Sequence, residues 1–226
     1  PDQLRQFSAG LQDCASRSGA LPLWIALDHE GQYVNRFQSG AAIFPMSMAI
    51  GATDDPQQAY QAAFANGQEL AYSGVNLVLG PDADILTNYD NSVISTLSSG
   101  GDPAGVGLFV AQAVRGYLAA GVAPVLKHFP GHGGVAGDTH EVLAVDTADE
   151  AALRQTYFPP FQAGIAEGAP AVMFSHGAFP SLRGNVVAHR GPRSRAQELE
   201  PCLGQQLVLH EDDGAVVRQR GEHEPA

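Results

Sequence analysis

Lysine occurs once in the 226-residue chain, at Lys127. It opens the stretch Lys127-His128-Phe129-Pro130-Gly131-His132-Gly133-Gly134-Val135-Ala136-Gly137-Asp138-Thr139-His140, which also holds three of the eight histidines and four glycines. A lone cation beside imidazoles and a carboxylate, on a glycine-rich segment, suits the binding of a polar ligand and the transfer of protons. Asp138 stands two residues before His140. It can accept the imidazole N–H, fix the tautomer and raise the ring's pKa, leaving the other nitrogen to give or take a proton near neutral pH. A second chemistry is open to the same residues: His128, His132, Asp138 and His140 are all zinc-ligand types, though their spacings match no familiar helical or knuckle motif.

Such groups need elements to hold them. Val122–Leu126 is an apolar run that reads as a buried strand, and it delivers Lys127 and His128 at its C-terminal end. The same arrangement recurs along the chain. Leu23–Leu27 precedes Asp28, His29 and Arg36; Val75–Leu79 precedes Asp82 and Asp84; Ala171–Phe174 precedes Ser175 and His176. Between these runs the spacing predicts helices over Asp2–Ser18 (Leu4, Phe7, Leu11 and Cys14 on one face), from Asp54-Asp55-Pro56 to Tyr72, over Ala104–Ala120, and over Thr147–Glu167 with an interruption near Pro159-Pro160. Phe44–Gly51 reads as a loop. Strand, polar loop and helix in repetition describe an α/β chain with a parallel sheet, whose strand ends share one mouth. We expect a (β/α) TIM-type barrel, and an incomplete one, because a full barrel has eight strands and about 250 residues. The alternative is an open doubly wound parallel sheet. An incomplete barrel exposes strand edges, so self-association is also expected.

Composition narrows the function classes. Twelve basic against twenty-four acidic residues give a formal net charge of −12, which repels phosphate backbones and argues against nucleic acid as a partner. No apolar run approaches the roughly 20 residues of a membrane span, and no signal peptide opens the chain. The compartment, cytoplasmic or secreted, is left open. Cys14 and Cys202 are far apart, without metal or redox spacing, and read as unpaired thiols. Residues 1–188 hold 24 charged side chains and residues 189–226 hold 12, so the density more than doubles. We therefore expect a partial barrel domain over 1–188 and a divergent, charged tail over 189–226, with Leu207–Leu209 as one further candidate strand.

The run Lys127–Gly133, followed after four residues by Asp138-Thr139-His140, resembles the signature of glycoside hydrolase family 3, of the β-N-acetylhexosaminidase type. The resemblance extends through Asp28–Gly31 with Arg36, Phe44-Pro45, Glu69-Leu70, Pro81–Asp84 and Phe161–His176, roughly residues 20 to 183. It implies a (β/α) barrel that cleaves terminal β-linked N-acetylglucosamine with retention, through a covalent glycosyl-enzyme and without a cofactor. It also implies His140 as acid/base oriented by Asp138, and Asp28, Arg36, Lys127, His128 and His176 as contacts to the sugar. Thr139 stands where the family usually has serine. Leu97–Gly100 stands where it commonly has an arginine run, so one sugar-binding cation is missing. The family's nucleophilic aspartate follows a late apolar strand, and the comparable place here is Leu207–Asp213, which points to Asp212, with Glu211 as the alternative. The chain is thus expected to be a fragment or a degenerate member, lacking the family's first strand and its last ones. Two further classes stay open beside the glycosidase: a sugar-binding protein without a nucleophile, and a metal-dependent hydrolase.

Overall fold

The computed structural model describes residues 1–37, 39–135, 144–182, 186–187 and 207–209, the last two pairs of bounds by backbone alone. The chain opens with α1 (Asp2–Arg17) and β1 (Ala26–Leu27), then α2 (Ser47–Gly51), α3 (Pro56–Tyr72), β2 (Leu77–Val78), α4 (Pro103–Ala119) and β3 (Ala123–Phe129). It continues with α5 (Glu150–Thr156), α6 (Phe158–Ala166), β4 (Ala171–Phe174), β5 (Ala178–Phe179), β6 (Val186–Val187) and β7 (Leu207–Leu209).

Helix starts are chemically marked. Asp55 accepts the Gln57 N–H at 3.0 Å, Asp102 that of Gly105 at 2.7 Å and Asp149 that of Ala152 at 2.7 Å, each satisfying an orphan donor of the first turn. Proline follows the cap in α3 and α4, where its missing N–H costs nothing. The expected interruption of the Thr147–Glu167 helix falls at Tyr157. Pro159 and Pro160 sit in the first turn of α6, where proline fits, so they begin that helix rather than break one.

Four strands, β1 to β4, pair in parallel in chain order, and β7 adds to β4, giving the order β1-β2-β3-β4-β7 among the described residues. A doubly wound sheet reverses its strand order at a switch point. This sheet does not reverse. Side chains alternate across it with period two. Leu77, Val125, Ala171 and Met173 cluster with Ala26, Leu79 and Ala123 on one face. Val78 packs toward α3 and α4, and Leu126 and Val172 toward α4 and α6, on the other. The first set is the interior layer and the second the helix-facing layer of a (β/α) barrel that is incomplete in the described residues.

The largest packed unit surrounds Phe129. Its ring lies 5.1 Å from Phe158, 5.3 Å from Phe161 and 5.7 Å from Phe174, edge-on to the latter two. This anchors the strand that carries Lys127 and His128 beneath α6. Helices α3 and α4 touch closely at Gly116, where a Cβ would lie 2.5 Å from the Tyr60 carbonyl oxygen.

Three local expectations are corrected. The strand expected over Leu23–Leu27 is only Ala26–Leu27. The amide side chain of Gln12 accepts the Leu23 N–H at 2.9 Å and donates to its carbonyl at 2.8 Å, and Asn76 Oδ1 accepts the Ile25 N–H at 2.7 Å, so side chains take these bonds of a ladder and only the Ile25 carbonyl keeps backbone donors, among them the Leu77 N–H at 3.2 Å. In α1, Ser8 and Ala15 are buried and Phe7 is 62% exposed, because the helix docks through small residues: a Cβ on Gly74 would come within 2.6 Å of Ser8 Cβ. Residues 47–51, read as loop, form α2. No helix of the described residues is long and apolar enough to cross a membrane.

Candidate active site

Every polar group of the site leaves the sheet at the C-terminal end of a strand. Asp28 and Glu30 follow β1, Asp82 and Asp84 follow β2, Lys127 and His128 lie at the C-terminal end of β3, and Ser175 and His176 follow β4. A parallel bridge from Asp82 to Lys127 prolongs the β2/β3 pairing into the site, with the Ala83 N–H donating to the Lys127 carbonyl at 2.6 Å. The Lys127–His128 and Phe129–Pro130 peptides are cis.

Lys127 is buried, and its ammonium donates to Asp28 Oδ1 at 2.6 Å. Glu30 Oε1 lies equally near, at 2.6 Å, as charge against charge without the angle of a hydrogen bond. Burial works against the charged lysine, but Glu30 and Asp28 outweigh it and hold its pKa above the ordinary value. Burial also pushes the Glu30 carboxyl up, opposed by Lys127. Gly80 leaves the space that Glu30 fills, since a Cβ there would meet Glu30 Oε2 at 3.0 Å.

Asp84 is the second organising group, and it is fully buried. Its Oδ2 faces His128 Nδ1 at 2.7 Å and accepts the His128 backbone N–H at 3.2 Å, while Oδ1 accepts the His132 N–H at 2.6 Å. Burial opposes its ionisation, yet His128 and then His132 bring its pKa below the ordinary value. A carboxylate acceptor places the imidazole proton on Nδ1, which leaves Nε2 of His128 as the nitrogen for a ligand. Asp82 Oδ1 accepts the Asp84 N–H at 2.9 Å, and its Oδ2 is buried without a hydrogen bond among the described residues. Burial first, then the neighbouring Asp84 and Glu30 charges, raises the Asp82 pKa well above normal.

The expected residues divide by position. Asp28, Lys127 and His128 converge on one rim. Arg36 is exposed; its backbone N–H donates to His29 Nδ1 at 3.1 Å, and this contact shapes the loop after β1. His29 is buried, and burial together with the Arg36 charge lowers its pKa. His176 is partly buried beside Ser175. Asp138, His140, Glu211 and Asp212 lie outside the described residues. Of the zinc-type set, His132 directs Nδ1 to Ser175 Oγ at 3.1 Å, and its ring meets His128 edge-on at 5.6 Å.

Sequence reading missed three residues. Glu30 was one loop acid among several until the fold placed it on Lys127. Asn66, on α3, donates to the His29 carbonyl at 2.8 Å and so ties that helix to the β1 loop. Asn91 donates to the carbonyls of His132 and Val135 at 2.7 and 3.1 Å and accepts the N–H groups of Val93 and Ile94 at 3.0 and 2.9 Å. One buried amide thus clamps the glycine-rich segment. Gly133 permits the close fit, since a Cβ there would lie 2.0 Å from the Ile85 carbonyl oxygen. Asn91→Ala removes four hydrogen bonds to backbone groups, of which the His132 carbonyl alone keeps another donor, the Val135 N–H, and urea denaturation should show a loss on the order of 2–3 kcal/mol.

Comparison with known proteins follows the same lines. The family description "Glycosyl hydrolase family 3 N terminal domain" matches residues 2–212. A beta-hexosaminidase of Stenotrophomonas maltophilia (strain R551-3) is 38% identical over 217 residues, 93% of this chain and 63% of that protein. The chain therefore spans less than two thirds of that relative's length. Among solved structures, the family 3 beta-N-acetylglucosaminidase of Paenibacillus sp. str. FPU-7 superposes with a TM-score of 0.78 at 40% identity, over 79% of this chain and 34% of that one. NagZ of Neisseria gonorrhoeae, in complex with N-trifluoroacetyl-D-glucosamine, gives a TM-score of 0.73 at 29% identity, over 80% and 53%. With the barrel order, the carboxylate-held lysine and the Asp84-held histidine, these matches establish that the chain belongs to glycoside hydrolase family 3 through its N-terminal domain.

Proposed function

We propose that the chain serves a retaining β-N-acetylglucosaminidase acting on N-acetylglucosamine-containing glycans. The observation that carries this reading is the rim on which Lys127, fixed by Asp28 and Glu30, stands next to His128, fixed by Asp84. A donor, the Lys127 ammonium, and an acceptor, Nε2 of His128, side by side suit adjacent hydroxyls of a sugar ring, because their own partners hold them in place before the ligand arrives. The names of the relatives, beta-hexosaminidase and beta-N-acetylglucosaminidase, supply the substrate class. Arg36 and His176 complete the sugar contacts. His140, oriented by Asp138, protonates the leaving oxygen, and Asp212, or Glu211 in its place, forms the glycosyl-enzyme. No cofactor is needed. A second copy pairing along the β1 edge is the expected mode of self-association.

The test is turnover of nitrophenyl N-acetylglucosaminide against nitrophenyl glucoside, with hydrolysis of the first expected. His140→Ala should slow substrates with poor leaving groups by about 10²-fold or more and nitrophenyl substrates far less, since nitrophenolate departs with little protonation. Equal slowing of both classes would remove His140 from the acid/base role. The second reading, a sugar-binding protein without a nucleophile, is favoured by Leu97–Gly100 and the divergent Leu207–Asp213, and it predicts sugar binding with no turnover.

A further inference from the structure

We propose that a cavity behind the rim, between the loop after β1 and helices α2, α3 and α4, binds a primary organic ammonium with a short apolar body. The cavity opens to solvent, and its volume counted to the open mouth is about 560 Å³. Asp28, Lys127 and His128 take no part in its wall, so it is distinct from the sugar rim. Two kinds of side chain line it. Phe44, Ile50, Phe109 and Val110 are the large apolar members, joined by alanines of α3 and α4. Glu30, Asn66, Asp82 and Ser99 are polar, and no lining residue is basic.

These polar residues all carry buried oxygens without a hydrogen bond among the described residues: both carboxylate oxygens of Glu30, Oδ1 of Asn66, Oδ2 of Asp82 and Oγ of Ser99. Such oxygens are costly to bury, and a donor removes the cost. Asn66 shows which kind of partner is missing. Its side-chain N–H groups are spent on the His29 carbonyl at 2.8 Å and the Tyr117 hydroxyl at 3.1 Å, which fixes the amide and leaves Oδ1 to accept. Glu30 Oε1 is paired with Lys127 at 2.6 Å, and Asp82 Oδ2 lies 3.8 Å from His128 Nδ1, beyond hydrogen-bond reach. Lys127 compensates Asp82 in part, but it is shared with Asp28 and Glu30. Burial and the neighbouring carboxylates still raise the Asp82 pKa well above normal. Two carboxylates with one shared counter-charge, beside an amide oxygen, call for a ligand that donates and is positively charged. A primary ammonium does both with three donors. The apolar wall suits a short alkyl body, since each buried methylene strengthens binding roughly fourfold. The oxygens are closed to bulk water, so the head reaches them through small side-chain shifts, for which the alanines leave room.

The experiment follows the backbone amide NMR spectrum of the full chain during titration with n-butylammonium chloride, with methylammonium, 1-butanol and butyrate as comparisons. Expected are saturable binding of one equivalent, the largest shifts in α3 and α4, and an affinity about tenfold or more above each comparison. Ala62→Leu fills the cavity from the half-buried face of α3 without touching the acids, and should weaken butylammonium binding about tenfold or more. Asp82→Asn keeps the Oδ1 acceptor for the Asp84 N–H and removes the charge, and should weaken it about fivefold or more. The site is refuted if butylammonium does not saturate, if the shifts centre elsewhere, or if Ala62→Leu binds as the parent does. Equal affinity for 1-butanol, or Asp82→Asn binding at parental strength, would overturn the preference for a cation. Methylammonium binding as tightly as butylammonium would overturn the role of the apolar wall and leave only attraction to an acidic chain. None of these outcomes depends on sugar binding, so the proposed function stands or falls separately.

Discussion

Lys127→Met is expected to lower stability by about 3–5 kcal/mol, because removing one member of a buried ion pair leaves the other's charge uncompensated. The larger part comes from Glu30, whose side chain is 4% exposed; Asp28 is 34% exposed and partly screened by solvent. For a chain of this size the loss corresponds to a fall of roughly 10 °C in melting temperature. The deficit has a defined pH dependence. Burial already raises the Glu30 pKa in the folded protein, and Lys127 restrains that rise. Without the lysine it rises further. A carboxyl with a raised folded pKa binds more protons folded than unfolded, so stability is greatest below its unfolded value and falls as pH climbs through the folded one. Lys127→Met should therefore recover stability as pH is lowered from neutral toward the ordinary carboxylate range. Adding Glu30→Gln should recover part of the loss at neutral pH and flatten that dependence. A variant as stable as the parent at pH 7, or one that weakens further on acidification before global acid unfolding, would contradict the buried-charge account. Sugar binding should be lost in either variant that lacks Lys127.

The second large effect concerns turnover. Retaining hydrolysis needs a nucleophile on the anomeric carbon and a separate proton donor for the leaving oxygen, and a histidine without a carboxylate partner cannot form the glycosyl-enzyme. If hydrolysis is observed, replacing Asp212 by asparagine is expected to reduce kcat by about four orders of magnitude or more while sugar binding persists, with Glu211→Gln as the alternative site of the same loss. Calorimetric titration with N-acetylglucosamine separates binding from chemistry. Robust turnover after simultaneous loss of Glu211, Asp212 and Asp213 would falsify the assignment of the nucleophile to this segment.

Local chemistry made much of the chain readable. Asp55, Asp102 and Asp149 mark helix starts by side chains that bond the next turn, and apolar runs ending in Asp, Lys or Ser marked the strand ends that line the rim. These are interactions between near neighbours, so their signal lies within a few residues. The family, too, was visible in the contiguous run from Lys127 to Gly133. Where a distant side chain intervened, the local signal misled. Leu23-Trp24-Ile25 has strand composition, yet Gln12 takes the backbone bonds of Leu23 and Asn76 the N–H of Ile25.

What the sequence could not specify was pairing across long separations. Lys127 meets Asp28 at a separation of 99 residues, His128 meets Asp84 at 44, and Asn91 reaches His132 at 41. No periodicity relates such positions; only parallel strands stacked in register bring their ends to one place. Residue type named Lys127 and His128 as chemically able. The barrel decided that Glu30 joins Asp28 in neutralising the lysine, and that Asp82 keeps one oxygen buried without a hydrogen bond among the described residues. Both outcomes depend on which groups lose their water together, and that is a property of the packed chain.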